Sequence, residues 1–95
     1  MFDVQFTPDA VEDLRWLRKA ERRQVLAELE LQLRFQPAGE TRKRLRPNQL
    51  AEWELRVGRF RVFFDADPRN NLIKVVAVGY KRGSRLFIHG KEYLL

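Results

Sequence analysis

The stretch "WELRVGRFRVFF", residues 53–64, leaves a chain few ways to fold. Apolar and polar side chains alternate on either side of Gly58-Arg59, the pattern of two antiparallel strands joined by a two-residue turn. Such a turn pairs Val57 with Phe60, Leu55 with Val62 and Trp53 with Phe64, and gives one wholly apolar face. The other face then sets Arg56 directly across from Arg61. Like charges so placed are destabilising, and cross-strand pairs count for about 0.2–1 kcal/mol each. The pair is tolerable if Glu54 lies diagonal to Arg61, or if an anion is bound between the two guanidiniums.

The rest of the chain supplies elements to cover the apolar face. "MFDVQF" alternates Phe2, Val4 and Phe6 inward as a short strand. In "TPDA", Thr7 suits a helix cap, Pro8 the first helical position and Asp9 the first turn. Ala10, Leu14 and Leu17 share one helical face, and Leu26, Leu29 and Leu33 share another. Between them "RKAERRQ" is almost wholly polar, which predicts two helices, about 8–18 and 21–35, folded back as a hairpin; one bent helix is the alternative. Pro37 and Gly39 in "QPAG" stop the helical region. A basic connection, "ETRKRLRPNQLAE", then leads into the hairpin. "DADPRNN" is a turn, "LIKVVAVGY" a central strand covered on both faces, and Leu86–Ile88 one more short apolar segment. The reading is one α+β domain over 1–95: N-terminal strand, two-helix hairpin, then three to four further strands, with the helices on one face of the sheet.

Charge is unevenly placed. Of a net +6, residues 1–41 carry six Lys/Arg against eight Asp/Glu, whereas residues 42–95 carry thirteen against five. A one-signed field on half of a small protein favours polyanions or acidic proteins as partners. There is no cysteine and only one histidine, so thiolate or His-rich metal sites and a Cys/His dyad are excluded. Neither a metal nor another cofactor is expected. No glycine-rich phosphate loop occurs. No run approaches ~18 apolar residues and "MFDVQFTPDA" lacks a basic region followed by an apolar run, so the expected compartment is the cytoplasm, with no membrane partner.

Three basic groups remain as candidates for binding: Arg42, Lys43, Arg44 and Arg46; Arg56, Arg59 and Arg61; and Lys81, Arg82 and Arg85, with His89 and Lys91 beyond. If the last long strand lies beside the hairpin, the third group approaches the others as a donor cluster suited to phosphate. Phe63 is expected on the face of Arg61, where it could stack on a base. Glu52 and Glu54 read as partners for Arg56 and Arg61 rather than as a general acid and base.

"LAEWELRVGRFRVFF" and "IKVVAVGYKRG", in this order of elements, resemble the RelE/ParE superfamily of toxins from bacterial type II toxin–antitoxin modules. The resemblance covers nearly the whole chain. It implies a helical hairpin against a twisted antiparallel sheet, and a cognate antitoxin that wraps the toxin and sets its oligomeric state. RelE-like members cut mRNA in the ribosomal A site without metal, through attack of the 2′-OH on the adjacent phosphate. ParE-like members poison DNA gyrase. In RNA-cleaving members the position of Arg61 holds an arginine that contacts the scissile phosphate, and some have a second catalytic arginine at the position of Lys81, which Arg82 adjoins. Glu52 and Glu54 stand where the best-known cleaving type has lysines, and Phe87 where it has a tyrosine. The remaining proton-transfer candidates are His89, Glu54 and Tyr93. The leading expectation is a ribosome-dependent mRNA endoribonuclease with ribosome and mRNA as partners; the alternatives are a gyrase inhibitor and a non-catalytic relative.

Overall fold

The computed structural model describes residues 2–33 and 42–94. A first strand, β1 (Asp3–Phe6), leads through Thr7 into α1 (Pro8–Trp16) and α2 (Lys19–Leu33). Six strands follow: β2 (Arg42–Arg44), β3 (Trp53–Val57), β4 (Phe60–Asp67), β5 (Leu72–Arg82), β6 (Arg85–Ile88) and β7 (Lys91–Glu92). The four longer ones form the sheet anticipated after the helices, and the short β2 and β7 flank it. The "QPAG" stop at 36–39 and the predicted last residues of the second helix lie outside the described residues. No helix in the described residues is long and apolar enough to cross a membrane.

The hairpin has the register that its alternation demands. Trp53 pairs with Phe64, Leu55 with Val62, Arg56 with Arg61 and Val57 with Phe60. Gly58 takes the positive φ of 57° that the turn requires. The sheet runs β2-β3-β4-β5-β6-β7, antiparallel throughout, and β1 joins β5 in parallel. Both β1 and β6 sit on the same edge of β5, β1 against Leu72–Val75 and β6 against Tyr80–Arg82. On that edge, backbone groups between these two stretches have no strand beside them among the described residues. The chain seals the gap with side chains of the α1 turn: the Thr7 hydroxyl donates to Val76 O at 3.2 Å, and Val78 N–H donates to Asp13 Oδ2 at 2.9 Å. Thr7 also caps α1 by accepting from Ala10 N–H.

A bulge explains why "LIKVVAVGY" is apolar nearly throughout. Phe63 pairs with Ala77 but Phe64 with Val75, so Val76 is an extra residue and the inward alternation of β5 changes phase there. Ile73, Val75 and Val78 therefore all reach the helix-side core with Leu55, Val57, Val62 and Phe64, whereas Ala77 faces the other side. On the helices, Ala10 and Leu14 enter that core as expected. On α2 the inward residues are Val25, Leu29 and Leu33; Leu26 is 39% exposed. Leucines at 26, 29, 31 and 33 offer two overlapping stripes, and packing against β3 selects the one with strict spacing of four.

The far side of the sheet is covered too, by a lid that the sequence presents as a basic connection. Asn48 folds residues 45–52 on itself, donating to the carbonyls of Arg46 and Ala51 and accepting from the N–H groups of Leu50 and Ala51. Leu45, Leu50 and Ala51 then close a second core over Phe63, Ala77, Leu86 and Ile88. In this core the "AVG" glycine is needed for space: a Cβ on Gly79 would stand 2.5 Å from Phe87 O and 2.9 Å from Ile88 Cγ1. Gly79→Ala should therefore push β6 away and destabilise by about 1–3 kcal/mol, read as a lowered Tm. A Tm equal to wild type would mean that β6 can shift at no cost.

Candidate functional site

Pairing places directly opposed residues on one face of a sheet, and this divides the predicted basic groups between the two faces. Arg56 and Arg61 lie on the lid side. Lys43, opposite Glu54, and Lys81, diagonal to Arg61 across Gly79, share it. On the helix side are Arg42, paired with Leu55, Arg44, paired with Trp53, and the opposed Arg82 and Arg85. Arg46 lies in the lid loop, and Lys91 pairs with Ile88 on β7. The three groups thus do not converge into one cluster.

On the lid side, the like-charge pair is tolerated through Glu54. Its Oε1 lies 3.8 Å from Arg61 Nε and 3.9 Å from Arg56 Nε, the diagonal arrangement the register allows. The Arg61 side chain is only 14% exposed. Its Nη1 donates to the carbonyls of Gly58 and Phe60 at 2.8 and 2.9 Å, so the guanidinium staples the turn. Phe63 is fully buried in the second core. It offers no face to a base, because the Asn48 loop covers it, and the expectation of a stacking platform there is corrected.

Several of the other cations have internal partners. Arg42 Nη2 donates to the carbonyl of Gln32, and burial holds its guanidinium below the ordinary arginine range. Arg44 lies over the Trp53 ring at 5.3 Å and 3.6 Å from Glu52. Arg85 makes two hydrogen bonds to Glu92, at 3.0 and 2.8 Å, and lies over Phe87. These bonds raise the Arg85 pKa and lower that of Glu92.

The other site residues meet on the helix side, where a cleft of about 650 Å³ opens between the end of α1, the start of α2 and the tips of β4–β6. In it stand His89, Arg82 and Arg59. Arg59 reaches Glu21 at 2.8 Å while its guanidinium covers Phe60 and Tyr80, and this contact holds Glu21 below the ordinary carboxylate range. Phe60, Tyr80 and Phe87 form a row across three strands, and the Tyr80 and Phe87 rings stack at 5.4 Å. His89 Nδ1 lies 2.6 Å from Asp13 Oδ1, the oxygen that Val78 does not use. The Asp13 side chain is 5% exposed and that of His89 is 43% exposed. Among the described residues no group of three His, Asp or Glu is placed to hold a metal.

Asp13, Trp16 and Tyr80 are the site residues that sequence reasoning missed. For Asp13 a signal existed: it lies three residues after Ala10 on the inward face, where a carboxylate requires a partner. Burial is the larger influence on it and raises its pKa above the ordinary value, against the lowering from Val78 and His89. A carboxyl so shifted contributes stability that is full below its ordinary pKa and lost as pH rises through the folded value. Asp13→Asn keeps an acceptor for Val78. Its Tm relative to wild type should therefore climb as pH rises from about 4; a difference constant with pH would show that Asp13 is not shifted.

Comparisons with known proteins agree with this architecture. A family model described as "ParE toxin of type II toxin-antitoxin system, parDE" matches residues 4–84. No curated protein matches significantly. Among solved structures, the toxin–antitoxin complex RelBE2 from Mycobacterium tuberculosis is similar with a TM-score of 0.72 and 22% identity, over 84% of this chain and 91% of that one. The archaeal RelE–RelB complex from Pyrococcus horikoshii OT3 gives 0.70 and 22%, over 87% and 97%. At that identity the likeness is one of fold. The family match runs from β1 to the turn after β5 and takes in both the hairpin and the Gly79 strand, so the chain belongs to the ParE toxin family of type II toxin–antitoxin systems, within the RelE/ParE superfamily.

Proposed function

We propose that this toxin arrests growth by binding a protein, with DNA gyrase the first candidate, and not by cutting mRNA. The observation that carries this reading is the state of Arg61. A phosphate clamp needs a guanidinium presented to solvent, and this one is held by the Gly58 and Phe60 carbonyls beside Glu54. Glu52 and Glu54 add negative charge where a cleaving relative would place cations. Stabilising a pentacoordinate phosphorus calls for preorganised donors aimed at the developing charge, and Arg61 Nη1 is spent on the Gly58 and Phe60 carbonyls.

A ribosome-dependent endoribonuclease is the second reading, favoured by the Asp13–His89 pair. A buried carboxylate orienting a half-exposed imidazole near Arg82 is a workable proton-transfer arrangement. In that reading His89, Arg82 and Arg59 do the work, and Arg61 and Lys81 are peripheral.

A cognate antitoxin is the partner under both. The similar structures are toxin–antitoxin complexes. The exposed cations of the lid side, Lys43 and Arg56, suit an acidic cover. β1 pairs with a strand on one edge only among the described residues, which leaves its other edge for an added strand.

Two assays on the purified wild type test the proposal. Supercoiling by gyrase should be inhibited, and primer extension on a defined mRNA in a bacterial translation extract should give no codon-phased cuts. Unaffected gyrase, with or without ribosome-dependent cuts, would overturn it. Arg61→Ala is a poor probe of either mechanism, because it frees two carbonyls at the turn and is expected to lower Tm.

A further inference from the structure

Trp16 is 84% exposed at the last position of α1, on the rim of the helix-side cleft. An indole so bare on the rim of a cleft is available as an anchor for a partner. Its neighbours are of the same kind. Tyr80 and Phe87, half-buried and stacked, form the floor, and Arg82 stands exposed beside them. Trp, Tyr and Arg are the residues on which binding energy at protein interfaces concentrates.

The charges in the cleft decide what fits. Glu12, Asp13 and Glu21 face Arg59, Arg82 and His89. Glu21 is bound to Arg59, Asp13 to His89, and Glu12 lies 3.7 Å from Arg15. Among the described residues no carboxylate lies within ion-pair distance of Arg82. The cleft is thus close to neutral, with one unmatched cation beside apolar rings. A nucleic-acid strand draws its affinity from several cations along its phosphates, and three carboxylates here would oppose it. A polypeptide bearing one apolar side chain next to one carboxylate matches both features.

We infer that this cleft is where the toxin grips its target: an apolar side chain of the target enters between Trp16 and the Tyr80–Phe87 rings, and a neighbouring Asp or Glu pairs with Arg82. The inference rests on the protein-target reading above and adds the surface and the chemistry of the segment bound.

The chain has two tryptophans, and Trp53→Phe leaves Trp16 as the sole reporter. Its emission should shift to the blue when purified gyrase is added and should not respond to a single-stranded RNA oligonucleotide. If Trp53→Phe fails to fold, 19F NMR of wild type carrying 5-fluorotryptophan reads both indoles separately. In parallel, Trp16→Ala and Arg82→Glu should each raise the concentration for half-inhibition of supercoiling at least tenfold with unchanged circular dichroism, while Arg69→Ala, an exposed cation on the turn before β5, should not. Inhibition without a Trp16 response, or cleft variants as potent as wild type, would overturn the cleft and leave the protein-target reading intact. Absence of inhibition would remove both. A response to RNA alone would reassign the cleft to nucleic acid, and a shift that grows with toxin concentration alone would assign it to a second copy; either result overturns the inference.

Discussion

The backbone of β5 between Val75 and Tyr80 is the constraint on which the rest of the molecule depends. β1 has ended and β6 has not begun, so N–H and carbonyl groups face an edge with no strand among the described residues. A buried backbone group without a partner costs about as much as a lost hydrogen bond with its desolvation, roughly 1–3 kcal/mol. Thr7 and Asp13, six residues apart around the start of α1, meet that need. Their spacing fixes α1 alongside β5, and α1 in turn fixes where α2 and the helix-side core can lie. The second oxygen of Asp13 then draws in His89 from the turn after β6. One carboxylate therefore closes the sheet and organises the floor of the cleft; burial there raises its pKa even though both contacts act to lower it.

Arginines in this chain work in two ways, and the difference is a matter of neighbours. Arg61 is paired across the hairpin with another arginine yet is nearly buried, because Glu54 is diagonal to it and two carbonyls receive its Nη1. Arg82 repeats the opposed-arginine motif with Arg85. There the neutralising carboxylate, Glu92, serves Arg85 through two hydrogen bonds. In the first pair one carboxylate is shared by both arginines, whereas in the second it serves Arg85 alone and Arg82 has none within ion-pair distance among the described residues.

How much was legible follows from which signals are local. The hairpin register came out residue by residue, because a period of two and a glycine turn allow no other pairing that buries Leu55, Val62 and Phe64. The two helices and their separation were legible from the polar break at residues 18–24. The fate of Phe63 was not. Its burial depends on a loop held by four hydrogen bonds, two given and two accepted by Asn48, and a string of Arg, Lys, Asn and Gln reads as solvent-facing unless that closure is known. The division of basic residues between the faces was also hidden, since it requires the pairing of β2 with β3 and of β6 with β5. Asp13 was visible as an acidic residue on an apolar stripe, but its partners are 65 and 76 residues away.

The cleft owes its existence to where α1 stops. Running beside β5, the helix passes Val76 at its cap and Val78 at Asp13, and it ends at Trp16 on the rim of the cleft that Tyr80 also lines. Leu17 turns to an extended conformation, its N–H still on Leu14 O, and the chain reverses into α2. Arg18 N–H then donates to Glu21, whose other oxygen receives Arg59 from the hairpin turn. Another helical turn, about 5.4 Å of rise, would carry α1 over the Tyr80–Phe87 rings and close the floor. Stopping short leaves those rings half-covered and the indole bare.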